Sequence, residues 1–190
     1  MNTFMRPAFM LLAFFTLLTG LAYPLLVTVT AQTFFPYQAN GSLVVRNEKV
    51  VGSLLIGQSF TEPRYFWGRL SATGTFPYNA MASGGSNLGA LHPSLIEATK
   101  NRIQVLRNAD SSAHLPVPAD LATASGSGLD PEISVASAEY QAVRVAKVRG
   151  ISIDRVRSLI REHRVSKFLG FSGVERVNVL RLNLALDAVH

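Results

Sequence analysis

The chain is expected to be an α+β protein tethered by one membrane-spanning helix, and three observations predict it. A run of 39 residues, Pro7 to Val45, contains no charged side chain. Beyond it, β-branched runs bounded by turn residues alternate with segments that carry apolar residues at helical spacing. The 190 residues leave about 155 for one domain with a real core once the apolar segment is set aside, with little room for a second. The expected organisation is a transmembrane helix over 1–33 and a single extracytoplasmic α+β domain over 34–190.

The densest apolar stretch, Ala8 to Ala31, is 24 residues long. As a helix it measures about 36 Å, enough for a hydrocarbon core of about 30 Å. Pro24 removes the hydrogen bond to the Gly20 carbonyl and is expected to kink the helix there, with the hydroxyls of Thr16 and Thr19 close below to satisfy the freed group. Thr16 and Gly20 form a small-xxx-small pair suited to docking another transmembrane helix. The rival reading is a cleaved signal peptide, because Val29-Thr30-Ala31 before Gln32 resembles a small-residue cleavage site. The apolar length, well beyond a 7–15 residue h-region, and the thin basic flank of Arg6 favour an anchor. Arg6 and the terminal amine favour a cytoplasmic N-terminus, which places the domain outside. Phe34, Phe35 and Tyr37 follow as interfacial aromatics.

Next, Gln38 to Ser42 is turn chemistry. Leu43–Val45 and Val50–Ile56 predict a hairpin around a four-residue loop, Arg46 to Lys49. Gln58 to Asn87 has little periodicity and is rich in Gly, Ser, Pro and aromatics. Such a loop either carries function or packs its own Tyr65, Phe66, Trp67 and Tyr78 into the core. A helix is expected from Pro93 to Asn108, then a polar connector over Ala109 to Ala119. Asp130 before Pro131 predicts a helix start running to about Val148, with Val135, Ala138, Ala142 and Val145 inward and Gly150 as the stop. Ser152 caps a third helix to about His163. Val174 to Leu182 reads as a strand passing into a helical turn near Leu184 to Val189.

Composition excludes several functions. After the span, 17 basic residues stand against 12 acidic ones, interleaved rather than clustered, so nucleic acid is not an expected partner. The chain has no cysteine, which removes disulfides, thiolate metal sites and a Cys nucleophile. His92, His114, His163 and His190 are isolated, without metal-ligand spacing, and no serine sits in a G-x-S-x-G elbow. No catalytic or metal residue is therefore assigned. Gly126-Ser127-Gly128 could cradle a phosphate, but no Gly-Lys-Ser/Thr follows, and a helix-capping turn is the simpler reading.

Six segments, in order, resemble one family. They are Phe35-Pro36 with Gln38 to Ser42; Gly52-Ser53 with Ile56-Gly57-Gln58; Phe66 to Arg69; Ser83 to Leu88; Thr123 to Pro131 with Gln141 and Arg144 to Lys147; and Arg176 to Val179 with Leu182 to Leu186. Together they resemble the C subunit of the Kdp-type potassium-transporting ATPase. The chain departs from that pattern at Leu70, His92 and Glu132, read as loop or cap positions. The resemblance implies a non-catalytic subunit of an ATP-driven, high-affinity potassium import complex. Its implied partners are a channel-like potassium-binding subunit, a P-type ATPase subunit and the bilayer of the cell (inner) membrane. It further implies an assembly role and a catalytic chaperone that raises the ATP affinity of the ATPase subunit. No cofactor is expected to be bound firmly, and ATP is reached only through the complex. Nucleotide contact in the family maps to Gln141 and Arg144. That mapping conflicts with the expected topology, since ATP is cytoplasmic, so any effect should travel through the membrane partners. Thr16, Gly20, Gln58, Gly84, Gly85 and Asn87 are the expected partner-facing residues. The alternatives are a membrane-anchored exported hydrolase and a solute-binding module.

Overall fold

The computed structural model describes residues 2–110, 115–167 and 172–189, and divides the chain into two compact units, Met1–Leu43 and Val44–His190. In the first, helix α1 (Asn2–Leu17) runs through a π-helical turn (Leu18–Ala22) into α2 (Tyr23–Phe34). The apolar part, Phe4–Phe34, is 31 residues long, and no residue in its most apolar window is buried. At 1.5 Å per residue it measures about 46 Å, longer than a hydrocarbon core of about 30 Å.

The π-turn is the structural answer to Pro24. With no N–H available to Gly20, the chain widens one turn ahead of the proline, and the Tyr23 N–H reaches back five residues to the Leu18 carbonyl. At the place where a kink is expected, the chain takes up the proline as a wide turn within an unbroken run of helical residues. The hydroxyls of Thr19, Thr30 and Thr33 each donate to the carbonyl four residues earlier, at 2.7, 2.8 and 2.7 Å. These bonds hide polar groups that lipid could not satisfy. The helix ends at Phe35, Pro36 opens a short α3 (Pro36–Ala39), and the Asn40 amide donates back to the Pro36 carbonyl at 2.7 Å.

Next comes the hairpin of β1 (Leu43–Arg46) and β2 (Lys49–Ser53), with the second unit starting at Val44 inside β1. The expected four-residue loop is corrected to two: Asn47 and Glu48 have φ of 49° and 63°, and Arg46 and Lys49 belong to the strands. Two consecutive positive φ values match the twist of a two-residue hairpin turn. A long loop follows, broken by a 3₁₀ turn (Ala80–Ala82) that Asn79 caps. Then come α4 (Pro93–Ala109), with His92 accepting from the Ser94 N–H, and a short α5 (Ala119–Ala122).

Helix α6 (Val135–Arg149) starts later than expected. Residues Glu132–Ser134 form a strand, β3, and Ser134 rather than Asp130 caps the helix, accepting from the Ser137 N–H. Glu132 is thus a strand residue, not a loop or cap. At the other end Gly150 takes φ +68°, and the Ile151 N–H reaches the Ala146 carbonyl at 3.1 Å, closing the helix. Ser152 caps α7 (Ile153–Glu162) as expected, and α7 packs on α6. The last strand is shorter than expected: β5 is only Arg176–Asn178, and α8 (Val179–Asp187) starts at once, capped by Asn178. With β4 (Arg164–Val165), the sheet has antiparallel order β3-β5-β4, pairing Ile133 with Val177 and Arg164 with Val177. Ile133, Val145, Val156, Ile160, Val177, Leu182 and Leu186 form the fully buried centre.

Candidate functional site

Phe66 and Trp67 are buried in this core although they belong to the long loop. Buried backbone needs hydrogen-bond partners, and among the described residues neither Phe66 nor Trp67 is paired in a sheet. Side-chain amides supply the missing edges. The Asn183 carboxamide of α8 accepts from the Phe66 N–H at 2.8 Å and donates to the Phe66 carbonyl at 3.0 Å. The Gln141 carboxamide of α6 does the same for Trp67, at 2.8 and 3.1 Å. A carboxamide presents one acceptor and one donor in a fork, the same pairing a neighbouring strand would offer.

Arg144 completes the arrangement. It donates to Gln141 Oε1 at 2.7 Å, to the Tyr65 carbonyl at 3.1 Å and to the Pro63 carbonyl. Its guanidinium lies 4.4 Å from the Trp67 ring centroid, and Arg102 of α4 lies 5.6 Å from the same ring. Burial pulls the Arg144 guanidinium down to about 10, so it remains a cation at neutral pH. Arg102 is lowered by burial too, and its fork is taken up by the Leu121 and Gly68 carbonyls at 3.1 and 3.0 Å. Gln141 is 1% exposed and Arg144 3%, and their polar groups are turned inward onto the loop.

The other expected site residues fall in separate places. Gln58 donates to the Val51 carbonyl at 2.8 Å, bracing β2. It also lines a groove of about 310 Å³ with Phe60, Glu62, Tyr65, Asn183 and Asp187. Gly84 and Gly85 instead meet the Gly126–Gly128 turn. The Gly84 N–H and the Ser83 hydroxyl donate to the Ser127 carbonyl at 2.9 and 3.0 Å. A Cβ on Gly85 would sit 2.9 Å from the Gly126 carbonyl oxygen. The glycine turn is therefore neither a phosphate cradle nor a helix cap; it is the seat of the 83–85 segment. Asp130 accepts from the Glu132 N–H at 2.9 Å and pairs with Arg69 at 3.0 Å. Asn87 is exposed, with φ +52°. Thr16 and Gly20 are exposed on the apolar helix, and a Cβ on Gly20 would meet nothing within 4 Å. His163 Nδ1 lies 2.9 Å from the Leu159 carbonyl, while His114 and His190 lie outside the described residues.

Comparison with known proteins matches residues 5–188 to the family described as KdpC, K+-transporting ATPase, c chain. The chain belongs to the KdpC family. Potassium-transporting ATPase KdpC subunits from Polaromonas naphthalenivorans and Herpetosiphon aurantiacus are 58% and 56% identical to it. Each alignment covers 100% of this chain, and 96% and 98% of the relative. The subunit from Methylococcus capsulatus is 56% identical over 97% of both chains.

Two features of this KdpC chain were not anticipated. Asn183 is one; its signal was a polar residue on the apolar stripe Val179, Leu182, Leu186. Asp187 is the other. It meets Arg149 at 2.8 Å, Arg46 and Arg64 at 3.7 and 3.8 Å, and the Tyr65 hydroxyl at 3.1 Å. Nothing local in the sequence pointed to that gathering of loop, hairpin and two helices.

Proposed function

We propose that this chain is the non-catalytic subunit of an ATP-driven, high-affinity potassium import complex. It is held in the cell membrane by the Phe4–Phe34 helix, with its α+β domain on the extracytoplasmic side. Its partners are a channel-like potassium-binding subunit and a P-type ATPase subunit, and it acts on the latter as a catalytic chaperone that raises ATP affinity. The observation that carries this reading is the end-to-end family match on a chain with one long, unburied apolar helix. None of its most apolar window is buried among the described residues, which suits docking on other transmembrane helices through Thr16 and Gly20.

Gln58, Gly84, Gly85 and Asn87 belong to the loop surface that meets the partners. Its first part anchors the loop in the core, and its exposed part, with Phe76, Met81 and Leu91, faces outward. ATP affinity is altered at a distance, through the membrane subunits, because Gln141 and Arg144 are inside the domain and already bonded to the loop.

The test is steady-state kinetics of the purified complex prepared with and without this chain. The expected result is a KM for ATP at least about threefold higher without it. An unchanged KM and an unchanged potassium-stimulated rate would remove the chaperone role.

A further inference from the structure

Phe66 and Trp67 are consecutive residues, and the N–H and C=O of each are taken as a pair by a different side chain. The two pairs are met by carboxamides from different helices: Asn183 on α8 for Phe66, Gln141 on α6 for Trp67. The residues that supply the forks lie 117 and 74 positions away in the chain. The forks are not interchangeable with other polar groups. A carboxylate would lack the donor for the loop carbonyl, and an aliphatic side chain would leave two buried backbone groups unpaired at each site. Arg144 fixes which way the Gln141 amide points, because its donor needs Gln141 Oε1 as acceptor. The Asn183 amide is 2% exposed and its fork is spent on Phe66.

We propose that Asn183 and Gln141 are one positioning device. They grip adjacent residues of the loop from two helices, and the KdpC domain acts on the pump through the shape they give that loop rather than through a ligand contact at Gln141. This rests on the reading that the loop is the partner-facing surface. It follows that Asn183 matters to the pump as much as Gln141 does, although it stands on another helix.

Trp67 reports on the device directly, because it is the single tryptophan of the chain, 6% exposed and stacked on Arg144. The experiment compares Gln141→Leu, Asn183→Leu and the double variant. Trp67 emission is read on the full chain in detergent with and without ATP, and kcat and KM for ATP are read on the assembled complex. Each single variant should red-shift Trp67 emission and raise KM for ATP at least about threefold, with kcat within about twofold. The double variant should be no worse than the poorer single, and ATP should leave wild-type emission unchanged. Where a leucine variant fails to fold, Gln141→Glu or Asn183→Asp, each of which keeps the shape and the acceptor but loses the donor, replaces it at its own position, and the outcomes are read in the same way. A KM that moves for Gln141→Leu and stays at the wild-type value for the Asn183 variant would overturn the proposal. So would an emission shift on adding ATP, the sign of direct contact. If removing the whole chain leaves KM unchanged, the chaperone reading fails and this inference falls with it. If removal matters and Asn183 does not, only this inference fails.

Discussion

At the residue scale, the long loop is held by contacts that tolerate almost no change of size. Gly57 shows this best. Its N–H donates to the Leu129 carbonyl at 2.8 Å, and a Cβ there would lie 2.4 Å from Tyr78 Cε1 and 2.6 Å from the Asp130 carbonyl oxygen. The ring cannot simply swing away, because the Tyr78 hydroxyl donates to the Arg69 carbonyl at 2.6 Å. Gly57→Ala should therefore destabilise the domain by about 2–3 kcal/mol, as other overpacked sites do. Denaturant unfolding of the full chain in detergent measures it, and wild-type stability would show that the loop yields. How far such contacts can be read beforehand depends on which side of the contact is examined. Gln141 stands among Ala138, Ala142 and Val145, and Asn183 between Leu182 and Leu186. A polar side chain on a buried stripe signals a hidden partner. The partner itself is backbone of Phe66 and Trp67, which any sequence could supply, so its address was not legible.

At the element scale, the helices followed from periodicity and caps, since both are local. Ser152 and Gly150 act as their residue types require, the first accepting from the Arg155 N–H and the second taking a left-handed conformation. The hairpin and β5 also fall where strands are expected, but β3 and β4 do not, for a physical reason. β3 and β4 are three and two residues long, too short for alternation to appear, and they are held by pairing with β5. Asp130 misled because a carboxylate before proline suits a cap, yet the carboxylate is taken by Arg69 and the Glu132 N–H. Ser134 caps α6 instead, with Asp120 accepting from its N–H at 2.8 Å and from the Ser137 hydroxyl at 2.5 Å.

In the apolar N-terminal helix, Gly20 lies in the π-turn with open space around it. Gly20→Leu thus adds bulk without a clash inside the chain. Membrane insertion should be unchanged while recovery of partner subunits falls at least about fivefold, as judged by affinity purification in mild detergent. Undiminished recovery would show that helix docking uses another face.

At the scale of the whole molecule, two kinds of surface divide the work. The 31-residue apolar helix buries nothing of its own. The α+β unit has a closed core and a loop whose inner end is gripped by Gln141, Arg144 and Asn183, leaving Phe76, Met81 and Leu91 outside. Within the α+β unit the buried cations Arg102 and Arg144 are spent on backbone carbonyls and on Trp67, and Asp187 is ringed by arginines. Both surfaces suit a part that works by being held against larger membrane proteins. The most direct measurement is native mass spectrometry of the complex, extracted in mild detergent through a tag on this chain. The account predicts the full-length chain, with residues 1–31 retained, together with two larger membrane proteins, one of them a P-type ATPase. Recovery of the chain alone, or trimmed after Ala31, would contradict it.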